Sequence, residues 1–131
     1  MTVMDTDLIV GMLRGNEDAV KKISHIGERG GNLCTTSITS YELLKGAYIS
    51  SNSEKNVPDV LNFLGNIQIL DFDFNASNIC AKIYFYLKRK GISTNTIDQM
   101  IASISISNNK TLITRNKNHY ANIPELKIEI W

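Results

Sequence analysis

The chain has 131 residues, of which 43% are apolar and 21% charged, and its 14 Lys and Arg offset 13 Asp and Glu to leave a net charge of +1. That is the profile of one ordinary globular domain over residues 1–131, large enough to bury roughly two-thirds of its unfolded surface without disulfides or a structural metal. The near-neutral balance demands no polyanionic partner, leaves room for a local basic patch, and, with 2 Pro and 8 Gly, excludes collagen-like and low-complexity classes.

In chain order, residues 1–5 read as a short strand. Thr6 then caps a helix whose stripe is Leu8, Ile9, Met12 and Leu13, stopped by Gly15. Asn16 caps a second helix carrying Ala19, Val20, Ile23 and Ile26, which ends at Gly30 and Gly31. Residues 33–36 form a second strand, and a helix over about 40–49 carries Leu43, Leu44 and Ala47. A polar connection at 50–56 leads to a short helix that has Pro58 in its first turn and runs through Leu64. The alternation at 67–72 predicts a third strand. Asn75 or Ser77 caps the longest helix, with Ile79, Cys80, Ile83 and Leu87 on one face, closed by Lys88, Arg89, Lys90 and Gly91. Thr96 caps a helix with Ile97, Met100, Ile101 and Ile104 inward, and strands follow at 111–114 and 126–131. Strands separated by helices imply parallel pairing in a sheet covered on both faces.

No apolar run reaches the ~20 residues of a membrane span. The N-terminal stretch holds Asp5 and Asp7 without a basic flank, so no signal peptide is read there and a cytoplasmic, membrane-free protein is expected. Cys34 and Cys80 lack metal-binding spacing and read as reduced, buried small hydrophobes.

In open parallel sheets, ligand sites lie beyond the carboxyl ends of the strands. Asp5 ends the first strand and Asp7 follows it. Glu42 opens the helix after the second strand, Asp98 opens the helix before the fourth, and Thr114, Arg115 and Asn116 close the fourth. If the first and fourth strands pair centrally, these segments converge on one cleft. Clustered carboxylates repel, and a hard divalent ion such as Mg²⁺ or Mn²⁺ relieves that repulsion. Each residue also has a plainer role. Asp5, Thr6 and Asp7 suit a helix start, and Thr39 with Glu42 suits a capping box. Asp98 suits a first helical turn, and Asn116 suits a turn.

The segments VMDTDLIV (3–10), ITSYELLKGA (38–47), IDQMIASISI (97–106) and TLITRNKNHY (111–120) together resemble the four motif blocks of PIN-domain ribonucleases, nearest to VapC-type toxins of toxin–antitoxin pairs. The resemblance runs from the first strand to the terminal IEIW. It implies a three-layer α/β/α sandwich around a mostly parallel five-stranded sheet, Mg²⁺-dependent endonucleolytic cleavage of RNA, a homodimer and a cognate antitoxin. By the same resemblance Asp5, Glu42 and Asp98 match the central acids and Thr114 the polar residue ending the fourth strand. Asn116 stands where many relatives place a fourth acid, which leaves a second metal position open.

In that reading a metal-activated water attacks the phosphodiester. Asp5 and Asp98 hold the principal ion, Glu42 and Asn116 complete its surroundings, and Thr114 positions water or a phosphate oxygen. Lys45, Arg115 and Lys117 flank the blocks as candidate phosphate contacts. His25 reads as a surface residue and His119 as a loop residue. Tyr84, Phe85 and Tyr86 are consecutive on one helix and cannot share a core, so a self-interface or an antitoxin groove is expected there. The competing classes are a catalytically silent PIN-like interaction module and a doubly wound phosphate-binding module. The latter usually adds a strand-end lysine, and none stands out in this chain.

Overall fold

A computed structural model describes residues 1–131. Its strands are β1 (Thr2–Met4), β2 (Cys34–Thr36), β3 (Gln68–Leu70), β4 (Thr111–Thr114) and β5 (Ile128–Ile130). Its helices are α1 (Thr6–Leu13), α2 (Glu17–Glu28), α3 (Ser37–Ile49), α4 (Ser53–Leu64), α5 (Phe74–Arg89), α6 (Thr96–Ser107) and α7 (Lys117–Tyr120). All strand pairs are parallel, with β4 central between β1 and β5 and β2 paired with β3.

The expected five-stranded sheet is divided into pieces of three and two strands. β2 runs beside β1, but side chains close the seam in place of a backbone ladder. The Thr35 hydroxyl donates to the Met4 carbonyl at 2.6 Å, and the Cys34 thiol to the Thr2 carbonyl at 3.0 Å. β1 spends its other edge on β4, where the Asp5 amide donates to Ile113 and the Thr111 amide to Met1. These buried hydroxyl and thiol groups therefore satisfy carbonyls that a ladder would otherwise serve.

Strand alternation sets the layers. Val3, Cys34 and Leu112 face a core built with Ala76, Ile83, Leu87, Ile101 and Ile104 of α5 and α6. Met4 and Ile113 face the opposite core, with Leu8, Ile9, Ala19, Leu43, Ala47 and Val60 of α1 to α4. The result is helices on both faces of a parallel sheet, the α/β/α sandwich. In α6, the fully buried Ser103 and Ser105 return their hydroxyl protons to the carbonyls of Met100 and Ile101. No helix is long and apolar enough to cross a membrane.

Several boundaries shift because a side chain other than the expected one satisfies the helix start. Asp5, not Thr6, caps α1, and Asp73, ahead of Asn75 and Ser77, caps α5 through the Ala76 amide at 2.9 Å. Asn95, not Thr96, caps α6. Thr36 caps α3 through the Thr39 amide at 2.9 Å, so the helix begins at Ser37 and Glu42 lies in its second turn. That removes the Thr39–Glu42 capping box, since Glu42 is too far along to reach the cap. The 50–56 connection is partly helical, and Pro58 sits inside α4 rather than in its first turn. Gly91, at φ +70°, closes α5 as its terminal basic run predicts. Cys34 and Cys80 are free and buried, and their thiols are pushed up, first by burial.

Thr35→Val removes the hydroxyl at the β1–β2 seam and strands the Met4 carbonyl. A loss of about 1–3 kcal/mol in urea unfolding is expected. No loss would show that the seam is held by apolar packing alone.

Candidate active site

Three carboxylates arrive at the carboxyl ends of β1 and β4 from three different helices. Asp5 leaves β1 and caps α1, accepting the Thr6 amide on Oδ1 at 2.8 Å, and is only 4% exposed. Its Oδ2 accepts the Thr114 hydroxyl at 2.8 Å. Glu42 extends from α3, and its Oε1 accepts the Thr6 hydroxyl at 2.8 Å, a bond across 36 positions that no local pattern announces. Asp98 opens α6 and pairs through Oδ2 with His119 Nδ1 at 3.3 Å. Tyr120, 1% exposed, lies close enough to Asp5, Asp98 and Glu42 for their charges to act on its phenol.

Burial dominates the electrostatics. It pushes Asp5 up to about 6, reinforced by the Asp7 charge and opposed by the Thr114 hydroxyl. Asp98 is also raised by burial, with Glu42 adding to the effect and His119 relieving it. Tyr120 is held far above the ordinary phenol range, first by burial and then by the charges of Asp5 and Asp98. It therefore stays a neutral hydrogen donor. Strongly perturbed acids grouped at a sheet edge are a mark of functional sites.

The candidate residues do not all enter this group. Thr114 does, fully buried and bonded to Asp5. Asn116 takes part through its backbone, its amide donating to Thr114 Oγ1 at 3.0 Å. Its exposed side chain makes no capping bond to α7 and borders a surface depression with Asp7, Arg14 and Trp131. Arg115 is engaged elsewhere. Its guanidinium stacks 3.6 Å from the Trp131 ring centre, donates to the Trp131 carbonyl at 3.0 Å and pairs with Asp18 at 3.1 Å. These partners compete with the phosphate contact expected of it. Lys45 is exposed on α3 with its ammonium 5.2 Å from the Tyr41 ring centre, and Lys117 is exposed on α7. His25 is exposed on α2 as expected, whereas His119 belongs to α7 and to the site.

Asp7, noted only as following the first strand, and Tyr120 are the residues to which sequence patterning gives no part in the site. Asp7 reads as a first-turn helix acid, yet it accepts the Arg115 amide at 2.8 Å, the Trp131 indole N–H at 3.1 Å and the Thr114 hydroxyl at 3.2 Å. Tyr120 belongs to a four-residue helix too short to show periodicity. Its place within the fourth motif block is the one available signal.

As the side chains stand, no three Asp, Glu, His or Cys groups converge closely enough to hold one ion. The chemistry nevertheless suits a hard cation, because Asp5, Asp98 and Glu42 offer oxygen alone and the first two carry a desolvation penalty that a positive charge offsets.

An α/β/α sandwich with a buried acid and two half-buried ones at the ends of its central parallel strands is a doubly wound domain with a charged site at its strand crossover. Residues 2–126 match the PIN domain, and the chain belongs to the PIN-domain family. The tRNA(fMet)-specific endonuclease VapC of Salmonella typhimurium is 29% identical over 129 residues, covering 98% of this chain and 96% of that protein. Ribonuclease VapC3 of Methanocaldococcus jannaschii is 33% identical over 102 residues, 78% of this chain and 95% of that protein. A crystal structure of VapBC2 from Rickettsia felis, bound to a DNA fragment from their promoter, superposes with a TM-score of 0.91 at 25% identity, covering 99% of this chain and 98% of that one. DNA-bound VapBC from Salmonella typhimurium gives 0.90 at 28% identity, covering 99% and 97%.

The raised Asp5 sets a pH dependence of metal-free stability. The folded protein binds this proton more tightly than the unfolded chain, so the contribution of Asp5 to stability is full below about 4. It falls as pH rises and levels off above about 6. The expected fall is about 1–3 kcal/mol. Asp5→Asn keeps one acceptor, for the Thr6 amide, turns its NH₂ to the Thr114 hydroxyl oxygen, and should flatten that segment of the curve in urea unfolding with chelator present. An unchanged slope would assign the dependence to other groups.

Proposed function

We propose that the chain is a metal-dependent endoribonuclease, the toxin of a toxin–antitoxin pair, acting as one PIN-like unit on RNA in the cytoplasm. The observation that carries the reading is the approach of Asp5, Asp98 and Glu42 to one buried phenol at the ends of β1 and β4, near enough for each charge to act on it, in a chain whose relatives include proteins named as ribonucleases. A bound Mg²⁺ or Mn²⁺ would supply charge neutralisation at the phosphate and a water of lowered pKa.

Asp5 and Asp98 are the proposed principal ligands. Asp5 comes to the ion already oriented, one oxygen on the Thr6 amide and the other on the Thr114 hydroxyl. Glu42 and Asp98 would exchange Thr6 and His119 for the ion or its water. Asn116 is the remaining oxygen donor of the proposal. Its neutral amide leaves a second position one charge short, so one well-bound ion is expected. Tyr120 keeps a neutral donor facing the acids and adds no charge to them. Lys45 and Lys117 are the proposed phosphate contacts, since Arg115 is engaged by Trp131 and Asp18.

The partner reading draws on solved relatives, which are VapBC complexes. In this chain Tyr41, Tyr48 and Ile49 on α3 and Tyr84, Phe85 and Tyr86 on α5 are all at least 40% exposed, which favours covering by an antitoxin or a second copy. The PIN match replaces the phosphate-binding alternative. The silent interaction module keeps one observation in its favour, the absence of a preformed three-group cage.

A labelled RNA panel with Mg²⁺ or Mn²⁺ separates the two. Wild type should cleave, and chelator or Asp98→Asn should reduce turnover by at least about 100-fold while the fold is retained. Glu42→Gln should also lose activity at little stability cost, since it has no capping role to forfeit. Cleavage that survives chelation or Asp98→Asn would remove the metal-site assignment. Intact RNA with every metal would favour the interaction module.

A further inference from the structure

We infer that Asp7 and Trp131 form a positioning pair that keeps the Thr114 hydroxyl proton on Asp5, and so orients the carboxylate proposed to hold the ion; this rests on the ribonuclease reading of the site. Neither residue is catalytic, because neither belongs to the group of acids around Tyr120.

The argument starts from a shortage. The Thr114 hydroxyl has one proton and two carboxylates in reach, Asp5 Oδ2 at 2.8 Å and Asp7 Oδ2 at 3.2 Å. Its oxygen is itself fixed by the Asn116 amide at 3.0 Å. Which acid receives the proton depends on what else each acid has. Asp7 is supplied on both oxygens, by the Arg115 amide on Oδ2 at 2.8 Å and by the Trp131 indole on Oδ1 at 3.1 Å. Asp5 has only the Thr6 amide on its other oxygen among the geometrically bonded donors. With Asp7 already supplied, the shorter bond to Asp5 is the one the proton makes.

The indole is built into place. A Cβ at position 11 would come within 3.1 Å of the Trp131 ring and 3.0 Å of Ala19 Cβ, so Gly11 makes the seat. Arg115 covers the ring at 3.6 Å and bonds the Trp131 carbonyl at 3.0 Å, and Asp18 secures the guanidinium from α2 at 3.1 Å. The residue after β5 thereby reaches the site through Asp7, across 124 positions. The same arrangement accounts for Arg115, whose charge holds the ring and not a phosphate.

Trp131→Phe keeps an aromatic ring near Gly11 but a smaller one, and it removes the N–H. Asp7→Asn keeps one acceptor but sets an amide NH₂ against one of the N–H donors. The expected result for each is a loss of about 10-fold in kcat and in Mn²⁺ affinity by calorimetry, with the RNA KM and melting temperature near wild type. In the Trp131→Phe background the opposing indole donor is gone. Asp7→Asn can then turn its oxygen to Thr114 and Arg115, and it should cost less there than in wild type, a non-additive cycle. Amide exchange at Arg115 and Asn116 should quicken in both single variants, and this readout needs neither metal nor RNA. If wild type leaves all RNA intact, the ribonuclease reading fails by itself and amide exchange decides the pair. Additive losses, unchanged Mn²⁺ affinity and unchanged exchange in Trp131→Phe, or a fall in melting temperature alone, would overturn the inference and leave Trp131 a packing residue.

Discussion

A carboxylate held out of water at the end of a three-residue strand is the constraint on which the site depends. Asp5 cannot be solvated, so the protein must supply donors, and it does so from two directions: the start of α1 and the end of β4. Both exist only because β1 and β4 pair in parallel and release their chains at the same edge. The pairing thus serves packing and chemistry together. It sends Val3 and Leu112 to one core and Met4 and Ile113 to the other, and it brings Asp5 and Thr114 to bonding distance.

Around that centre the polar groups are shared rather than duplicated. Thr6 gives its amide to Asp5 and its hydroxyl to Glu42, joining α1 to α3. His119 and Tyr120, adjacent in α7, approach Asp98 from the same short helix. Acids that repel one another are held together by shared hydrogen-bond donors, among them the Thr6 and Thr114 hydroxyls, an arrangement that leaves the negative potential in place for a cation. Such a site is economical in residues and sensitive to each of them, since losing the Thr114 hydroxyl removes the one donor within reach of both Asp5 and Asp7.

Away from the site, α5 presents a different chemistry. Lys88, Arg89 and Lys90 each lie over the aromatic ring four residues earlier, on Tyr84, Phe85 and Tyr86, at 5.5–5.8 Å from the ring centres. The basic run thus complements the helix C-terminus and partly shields exposed rings at once. That explains how three consecutive aromatics remain on a surface without collapsing into the core.

The sequence by itself determined the alternation of strands and helices, the two-sided parallel architecture, and Asp5, Glu42, Asp98 and Thr114 as the residues to watch, because periodicity and strand-end position are local properties. It also carried the family resemblance, which lies in short blocks. It did not determine the helix caps, where several nearby Asp, Asn and Thr side chains compete and geometry selects one. Nor did it reveal the division of the sheet, which depends on Cys34 and Thr35 side chains replacing a ladder across the β1–β2 seam. Only the tertiary structure recast Asp7 from a helix-dipole acid to the acceptor of three donors, and laid Arg115 over the Trp131 indole. The Asp7 bonds join residues more than a hundred positions apart, and a hydrogen bond's partner at that separation is decided by the fold, not by the pattern around either end.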